Sequence, residues 1–369
     1  MELSFTKGTF VSNPGELNYK QVLEDFQRAN TIRILTYNIS GNYKNDTLLS
    51  ALSDTNADIQ IIINIPSRME YYYDSEAGRR MRLNAQNNIK AYISKLNPDN
   101  YSAGFSAFFN LHNHAKIIGT ENIVYIGSAN FSNESAKSIE TGVIIEDRVF
   151  IRNLYSDFFA EIVKDSLSYY DETFSAFRLF ILFLLEKFQC VYNDMLVNLF
   201  TDYNRTKLTL ADTINITTDQ LHSLYLLFEE LERIPDALDD TYDESNEEYN
   251  TELEIIKELS NNIDIEWFKS AISYGGELFS LVDFDEEKEA LNILQTKYIY
   301  DANEEKLDFY AQKSIDEANS ELHSLRDNFI AIEDDFISGF NTILSNLNQI
   351  IEFTEKWKPL KINSEIDNT

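Results

Sequence analysis

Residues 114–146 run HAKIIGTENIVYIGSANFSNESAKSIETGVIIE, and this stretch decides the reading of the chain. His114 and Lys116 stand two apart, so on a strand both side chains leave the same face. A short turn, Gly119-Thr120-Glu121-Asn122, then returns the chain along a second strand, residues 123–126. That strand delivers Gly127-Ser128-Ala129-Asn130 beside the His/Lys pair. An imidazole, an ammonium, a hydroxyl, an amide and a glycine turn with accessible N–H groups converge. This set suits a phosphate. Lys116 brings charge, Ser128 and Asn130 bring donors, and His114 can act as nucleophile or acid–base near neutral pH.

Outward from this segment, the first half alternates strands and helices. Residues 31–39 (TIRILTYNI) are rich in β-branched side chains and read as a strand. Residues 45–52 read as a helix capped by Asn45 or Asp46. Residues 57–65 (ADIQIIINI) form an apolar run of strand length that stops at Pro66. Residues 79–96 read as a helix, with Met81, Ala85, Ile89 and Ile93 spaced by fours. Residues 101–109, 114–118, 123–126 and 142–146 read as further strands. This order predicts an α/β domain with a mixed sheet flanked by helices.

The two short motifs, His114-Ala115-Lys116 and Gly127-Ser128-Ala129-Asn130, resemble the signature of the phospholipase D superfamily, H-x-K-x4-D followed by G-S-x-N. The aspartate position holds Glu121, and the gap from it to the glycine is one residue shorter than usual. The resemblance is sharp over residues 114–146 and extends by element order to residues 30–160. It implies a two-step phosphodiester mechanism without metal or other cofactor. His114 would attack phosphorus to give a phosphohistidine. A second histidine would protonate the leaving oxygen and then activate water. Lys116 and Asn130 would stabilise charge on the transferring group. In the family the acidic residue of the first motif is structural, and a later acidic residue orients the histidine; Glu140 stands at that later position. The family builds each site from two such motifs. His112, His222 and His323 are not followed by x-K, so the resemblance implies a homodimer in which each chain gives one motif. Single-motif members are mostly nucleases, which makes nucleic acid the expected substrate. The two-motif, single-chain members include the phospholipases.

Charge divides the chain. Residues 1–150 carry 14 Lys and Arg against 16 Asp and Glu, while residues 151–369 carry 17 against 46. Eight of the 11 glycines also lie in the first 150 residues. We therefore expect a catalytic domain over residues 1–165 and an acidic, all-helical region over residues 166–369. Residues 174–204 read as one long helix, and residues 218–233 as another ended by Pro235. From Leu322 the apolar positions Leu325, Phe329, Ile332, Phe336, Phe340, Ile343, Leu347 and Ile350 form a heptad-like, coiled-coil-like seam with one extra residue. This region is expected to regulate the catalytic domain or to dock a basic protein partner.

Arg68, Arg79, Arg80 and Arg82 form the basic cluster, read either as contacts to a nucleic acid backbone or as a solvated helix start paired with Asp74 and Glu76. Tyr71, Tyr72 and Tyr73 could stack on bases or pack as an aromatic run. His222 and His323 read as ordinary helix residues, and Cys190, in an apolar helix, as buried. A hydrophobic fraction of 43% excludes global disorder. One cysteine excludes a disulfide framework and a cysteine-rich zinc site. A net charge of −31 argues against simple coating of nucleic acid or anionic lipid. The start shows no signal peptide, and the apolar run 179–185 falls short of the ~20 residues of a membrane span. The expectation is a cytoplasmic, dimeric phosphodiesterase of nuclease type, with an architecture that suits a bacterial defence effector held off until triggered. The competing readings are a phospholipid or small phosphodiester hydrolase and a catalytically silent dimeric scaffold.

Overall fold

The computed structural model describes residues 2–40, 47–64, 85–101, 104–169, 174–202, 208–242, 249–299 and 306–357. These divide into two compact units, one up to residue 180 and one over residues 181–357.

The first unit is built on an eight-stranded sheet in the order β1-β7-β6-β5-β2-β3-β4-β8. The strands are β1 (Gly8–Val11), β2 (Thr31–Thr36), β3 (Asp58–Ile63), β4 (Phe105–Phe109), β5 (Ile117–Thr120), β6 (Val124–Gly127), β7 (Gly142–Ile145) and β8 (Leu167–Ser168). Strands β2, β3 and β4 run parallel, and every other pairing is antiparallel, which makes the sheet mixed as expected. The parallel centre is covered on both faces: Ile32, Ile34, Ile59, Ile61, Ile62 and Ile63 are all fully buried. One face packs Leu35, Ile62, Ile117, Val124 and Ile145 against Phe150, Ile151, Leu154 and Phe159. Those last four lie on the helix Arg148–Asn153 and the π-helical stretch Leu154–Phe159 that continues it.

The connectivity fixes where chemistry can sit. Parallel β2, β3 and β4 end at the same edge of the sheet. Antiparallel β5 begins there, β6 ends there and β7 begins there. The segment before β5, the turn after β6 and the lead into β7 therefore meet at the carboxyl ends of the parallel strands, the usual place for a site in such a sheet.

Three local expectations change. His114 and Lys116 precede the strand, which starts at Ile117, because the Asn113 carboxamide accepts from the N–H of Ala115 and holds the chain out of the ladder. The turn is tighter than Gly119–Asn122: Gly119 still pairs with Val124, and the Thr120 hydroxyl accepts from the N–H groups of Asn122 and Ile123. The edge strands β1 and β8 go unread in the sequence because one is exposed and polar and the other is two residues long.

The described residues between 181 and 357 are mostly helical, apart from one pair of short strands. The long helix stops at Asn198 rather than running to 204, and Phe200–Asp202 pairs with Leu208–Leu210, where Thr201 and Thr209 lie across from each other. β-branched residues favour that pairing over another helical turn. Pro235 does not merely end a helix but sits in the first turn of the next, Ile234–Asp239, where its missing N–H costs nothing. The apolar seam is split between Leu307–Ile330 and Glu333–Thr354 by a turn at Ala331 and Ile332. Its second part buries Phe336, Phe340, Ile343, Leu347 and Ile350. Phe228, Phe268, Phe336 and Phe340 form an aromatic core, with Phe228 stacked on Phe268 at 4.9 Å. Gly339 is required in that core, since a Cβ there would collide with the Phe268 ring. Cys190 is exposed, against the expectation of burial, because it falls on the outer face of its amphipathic helix.

Glu230 lies in this helical unit with its side chain 3% exposed, and one carboxylate oxygen reaches Arg233 at 3.3 Å. The other oxygen is buried with no hydrogen-bond partner. Burial pushes its pKa up to about 7; Arg233 pulls it back and Glu229 adds to the rise. A carboxyl raised in the folded state binds its proton more tightly than in the unfolded chain. Its stabilising contribution is complete below the ordinary value of 4.5 and is lost as pH climbs through about 7. Denaturant titrations of the full chain should therefore give lower stability at pH 8 than at pH 5, by roughly 2–3 kcal/mol. Glu230→Gln should flatten that dependence, and an equally steep dependence in the variant would refute the assignment.

Candidate active site

Lys116 is 8% exposed, which is unusual for a lysine. Its ammonium donates to the His114 carbonyl oxygen at 2.6 Å and lies 3.2 Å from Nδ1 of the His114 ring. Tyr37, just past the end of β2, completes the cluster. Its ring packs on the His114 ring with centroids 4.7 Å apart, and its centroid is 5.2 Å from Lys116 Nζ. Partial desolvation lowers the His114 pKa, and the Lys116 charge lowers it further. Burial also lowers Lys116, against a pull upward from the Glu140 carboxylate. The imidazole is thus held neutral at pH 7, with a free nitrogen lone pair, beside a cation.

The glycine turn follows β6. Gly127 N–H donates to the Lys116 carbonyl at 3.2 Å, which fixes the turn to the His/Lys segment. Ser128 donates to the Glu140 carboxylate, and the Ser128 Oγ accepts from the Thr141 N–H at 3.0 Å. The described contacts of the Glu140 carboxylate run to Ser128, with none to the His114 ring. The Asn130 carbonyl accepts from Tyr19 Oη at 2.9 Å and from Ser135 Oγ at 3.1 Å, which positions its backbone, while its side-chain oxygen is buried without a partner. Gly127 and Gly142 share a constraint: the fully buried Tyr125 side chain folds over both, and a Cβ at either would collide with it and with a backbone carbonyl, that of Thr141 or of Ile126. Tyr125 Oη then donates to the Thr141 carbonyl at 2.9 Å and accepts from the Ala129 N–H at 3.1 Å.

One expectation is corrected here. Most N–H groups of the turn are not free for a ligand. Gly127 bonds Lys116, Ser128 bonds Thr141, Ala129 bonds Tyr125, and Phe131, just after the turn, bonds Thr36 Oγ1. Side chains must supply most of the donors.

Glu121 lies at the other end of β5 from His114. Its carboxylate accepts from the N–H groups of Asn30 and Thr31, each at 3.0 Å. Burial would raise its pKa, but the backbone donors outweigh it and hold the carboxyl below its usual range. The nearly buried Asp25 accepts from Thr120 at 2.6 Å and from Asn122 at 3.1 Å. The floor beneath the His/Lys segment is an asparagine network: Asn64 donates to the carbonyls of Leu111 and Asn113, and Asn113 to that of Thr36.

The structure thus joins His114, Lys116, Ser128, Asn130 and Glu140 through direct bonds and one shared turn. Arg68, Arg79, Arg80 and Arg82, with Tyr71, Tyr72 and Tyr73, fall outside the described residues. His112 is exposed two residues before His114. Tyr37 was not singled out from the sequence, since it looks like the tail of an ordinary strand. Among the described residues, no group of acidic, histidine and cysteine side chains is placed to hold a metal ion.

Residues 22–162 match the family described as cardiolipin synthase, PLD-like domain. This part of the chain is a phospholipase D-like domain. Solved structures with a similar fold include Nuc, a phospholipase D family member from Salmonella typhimurium (17% identity over 44% of this chain and 97% of that one, TM-score 0.28). NucT from Helicobacter pylori is similar at 15% identity over 44% of this chain and 98% of that one, with a TM-score of 0.29. Phosphatidylserine synthase from Haemophilus influenzae is similar at 15% identity over 52% of this chain and 46% of that one, with a TM-score of 0.31. No curated protein sequence matches the chain. No described helix is long and apolar enough to cross a membrane.

The electrostatics give a direct test. Across a proton NMR titration, the His114 ring, assigned by its loss in His114→Ala, should titrate below the ordinary 6.5. Lys116→Met removes the neighbouring cation and should move that value upward. A titration that stays put in Lys116→Met would break the link between the two side chains.

Proposed function

We propose that the protein is a phosphodiesterase of nuclease type that works as a homodimer with a shared active site. The observation that carries this reading is the buried Lys116 ammonium at 3.2 Å from the His114 ring, beside the Ser128–Glu140 pair. A neutral imidazole next to a cation is a nucleophile aimed at an anion. In the first step a His114 nitrogen forms a bond to phosphorus while the phosphorus–oxygen bond to the leaving group breaks. The leaving oxygen takes a proton from the partner chain's histidine. In the second step that histidine takes a proton from water, whose oxygen attacks phosphorus and releases the His114 nitrogen. Lys116 and Asn130 stabilise the charge on the phosphoryl oxygens. Glu140 accepts a hydrogen bond from the Ser128 hydroxyl and fixes that side chain at the turn.

Nucleic acid is the favoured substrate because the chain carries one His/Lys motif and therefore fits the two-chain site. A phospholipid is the second substrate class, favoured by the description of the matching family. The acidic helical region would act as a regulator, since a surplus of Asp and Glu repels a polyanionic substrate until a basic partner neutralises it. Such a held-off nuclease suits a defence effector.

The test is cleavage of labelled DNA, RNA and phosphatidyl lipids by the full chain in the presence of EDTA. Cleavage should survive the chelator, and His114→Ala should lower it by roughly 10^3-fold or more. A shared site adds a sharper expectation. Co-expressing wild type and His114→Ala in equal amounts should leave about one quarter of the activity, because only pairs of intact chains cut; independent sites would leave about one half. Full activity in His114→Ala would defeat the reading.

A further inference from the structure

A nucleophilic imidazole attacks through a lone pair in the plane of its ring, so the rotation of the ring decides whether the attack runs in line. His114 is exposed, and its ring would turn freely unless a neighbour held it. A carboxylate or carbonyl bonded to the second ring nitrogen is the common device. Here the Glu140 carboxylate bonds Ser128 instead. Lys116 does not fix the rotation either. Its Nζ lies 3.2 Å from Nδ1 and 3.4 Å from Nε2 of the ring. The in-plane directions of the two nitrogens diverge, so a cation almost equidistant from both is aligned with neither. Among the described residues that leaves the Tyr37 ring, which packs on the imidazole with centroids 4.7 Å apart and planes inclined at 57°. The backbone explains why the two rings meet. Tyr37 follows Thr36, and His114 follows Asn113. The Asn113 amide donates to the Thr36 carbonyl at 2.8 Å, which ties the two segments together one residue before each ring. Beyond Tyr37, the Thr36 hydroxyl donates to the Asn38 carbonyl and accepts from the Phe131 N–H, both at 2.9 Å, and Ile39 bridges to Phe131. Tyr37 is thus clamped on both sides.

We propose that Tyr37 is a positioning residue whose ring holds the His114 imidazole turned for in-line attack, the task that the family resemblance gave to Glu140. This rests on the phosphodiesterase reading of the site. Tyr37 acts through His114 and touches no reacting atom itself. An aromatic ring suits the task because it holds by its flat surface and adds no charge. The two imidazole nitrogens stay open, one to phosphorus and one to a proton. The same ring stands with its centroid 5.2 Å from Lys116 Nζ, so it keeps the cation and the imidazole in one arrangement.

The experiment compares full chains: wild type, Tyr37→Leu, which removes the ring, and Tyr37→Phe, which restores it without the hydroxyl. Single-turnover release of p-nitrophenol from bis(p-nitrophenyl) phosphate, followed over substrate concentration, separates substrate affinity from the rate of attack. Proton NMR follows the His114 ring in the same proteins. Tyr37→Leu should slow the attack by about 10- to 100-fold at unchanged substrate affinity, since a misturned nucleophile still leaves Lys116 and Asn130 to bind the phosphoryl group. Its His114 resonance should move while those of His222 and His323 stay. Tyr37→Phe should recover both the rate and the resonance. An attack rate in Tyr37→Leu equal to wild type would overturn the proposal. So would a Tyr37→Phe as slow as Tyr37→Leu, because the ring would then not be what holds the imidazole. Should Tyr37→Leu weaken the fold, the same split decides: affinity and rate that fall together mark a ring that only props up the site and overturn the assignment, while a fall in rate alone upholds it. The NMR signal tells the two readings apart. In a protein that cleaves no phosphodiester, a His114 resonance that moves in Tyr37→Leu and returns in Tyr37→Phe upholds the hold on the ring and defeats the phosphodiesterase; an unmoved one defeats both. Cleavage that depends on His114 and ignores Tyr37 defeats this proposal alone.

Discussion

A lysine ammonium taken out of water must be met by polar groups, and Lys116 sets that demand on the first unit. The His114 carbonyl meets it directly, the Tyr37 ring offers its π face, and the Glu140 charge acts from farther off. These come from three places in the chain: the segment before β5, the end of β2 and the lead into β7. None is close to the others in sequence. The sheet order brings them to one edge, and the site therefore exists only when the mixed sheet has formed. The same burial makes the cluster reactive. A hydrated ammonium beside an imidazole would do little to its pKa, whereas a shielded one depresses it.

The glycine turn is the second consequence. The chain must leave β6, pass the His/Lys segment and re-enter at β7 within a narrow space. Tyr125 solves the packing by lying over Gly127 and Gly142, which have no side chain to displace it. Its hydroxyl then takes up the Ala129 N–H and bonds the Thr141 carbonyl. The turn is held in place because the N–H groups of Gly127, Ser128 and Ala129 are bonded internally, and for that reason those three cannot also cradle an anion. Rigidity here was gained by giving up backbone donors, and the function passes to side chains.

Much of this was legible. The apolar runs of β2 and β3 announce buried parallel strands because Ile and Leu fill consecutive positions, and His114, Lys116, Ser128 and Asn130 announce themselves by residue type and spacing. What stayed hidden depends on tertiary context. Nothing local marks Tyr37, since its meaning arises from contact with His114 and Lys116, far along the chain. The exposed strand β1 pairs only because β7 offers an edge. Cys190 looked buried because the helix around it is strongly apolar, yet composition does not say which face a residue takes. The break at Ile332 is invisible to an apolar periodicity that continues on both sides of it.

The substitution of glutamate for the signature's aspartate has a physical account in the same terms. Strand β5 is four residues long, so a slip of one residue against β2 would turn its side chains to the wrong faces. Two acids pin it from the end opposite His114. Asp25 takes the Thr120 hydroxyl and the Asn122 amide, and Glu121 bridges the N–H groups of Asn30 and Thr31 at the start of β2. The Glu121 carboxylate spans two successive N–H groups at the strand boundary. Glu121 thus stays far from His114: it fixes where β5 ends against the start of β2, and so the register in which His114 and Lys116 reach the carboxyl ends of the parallel strands.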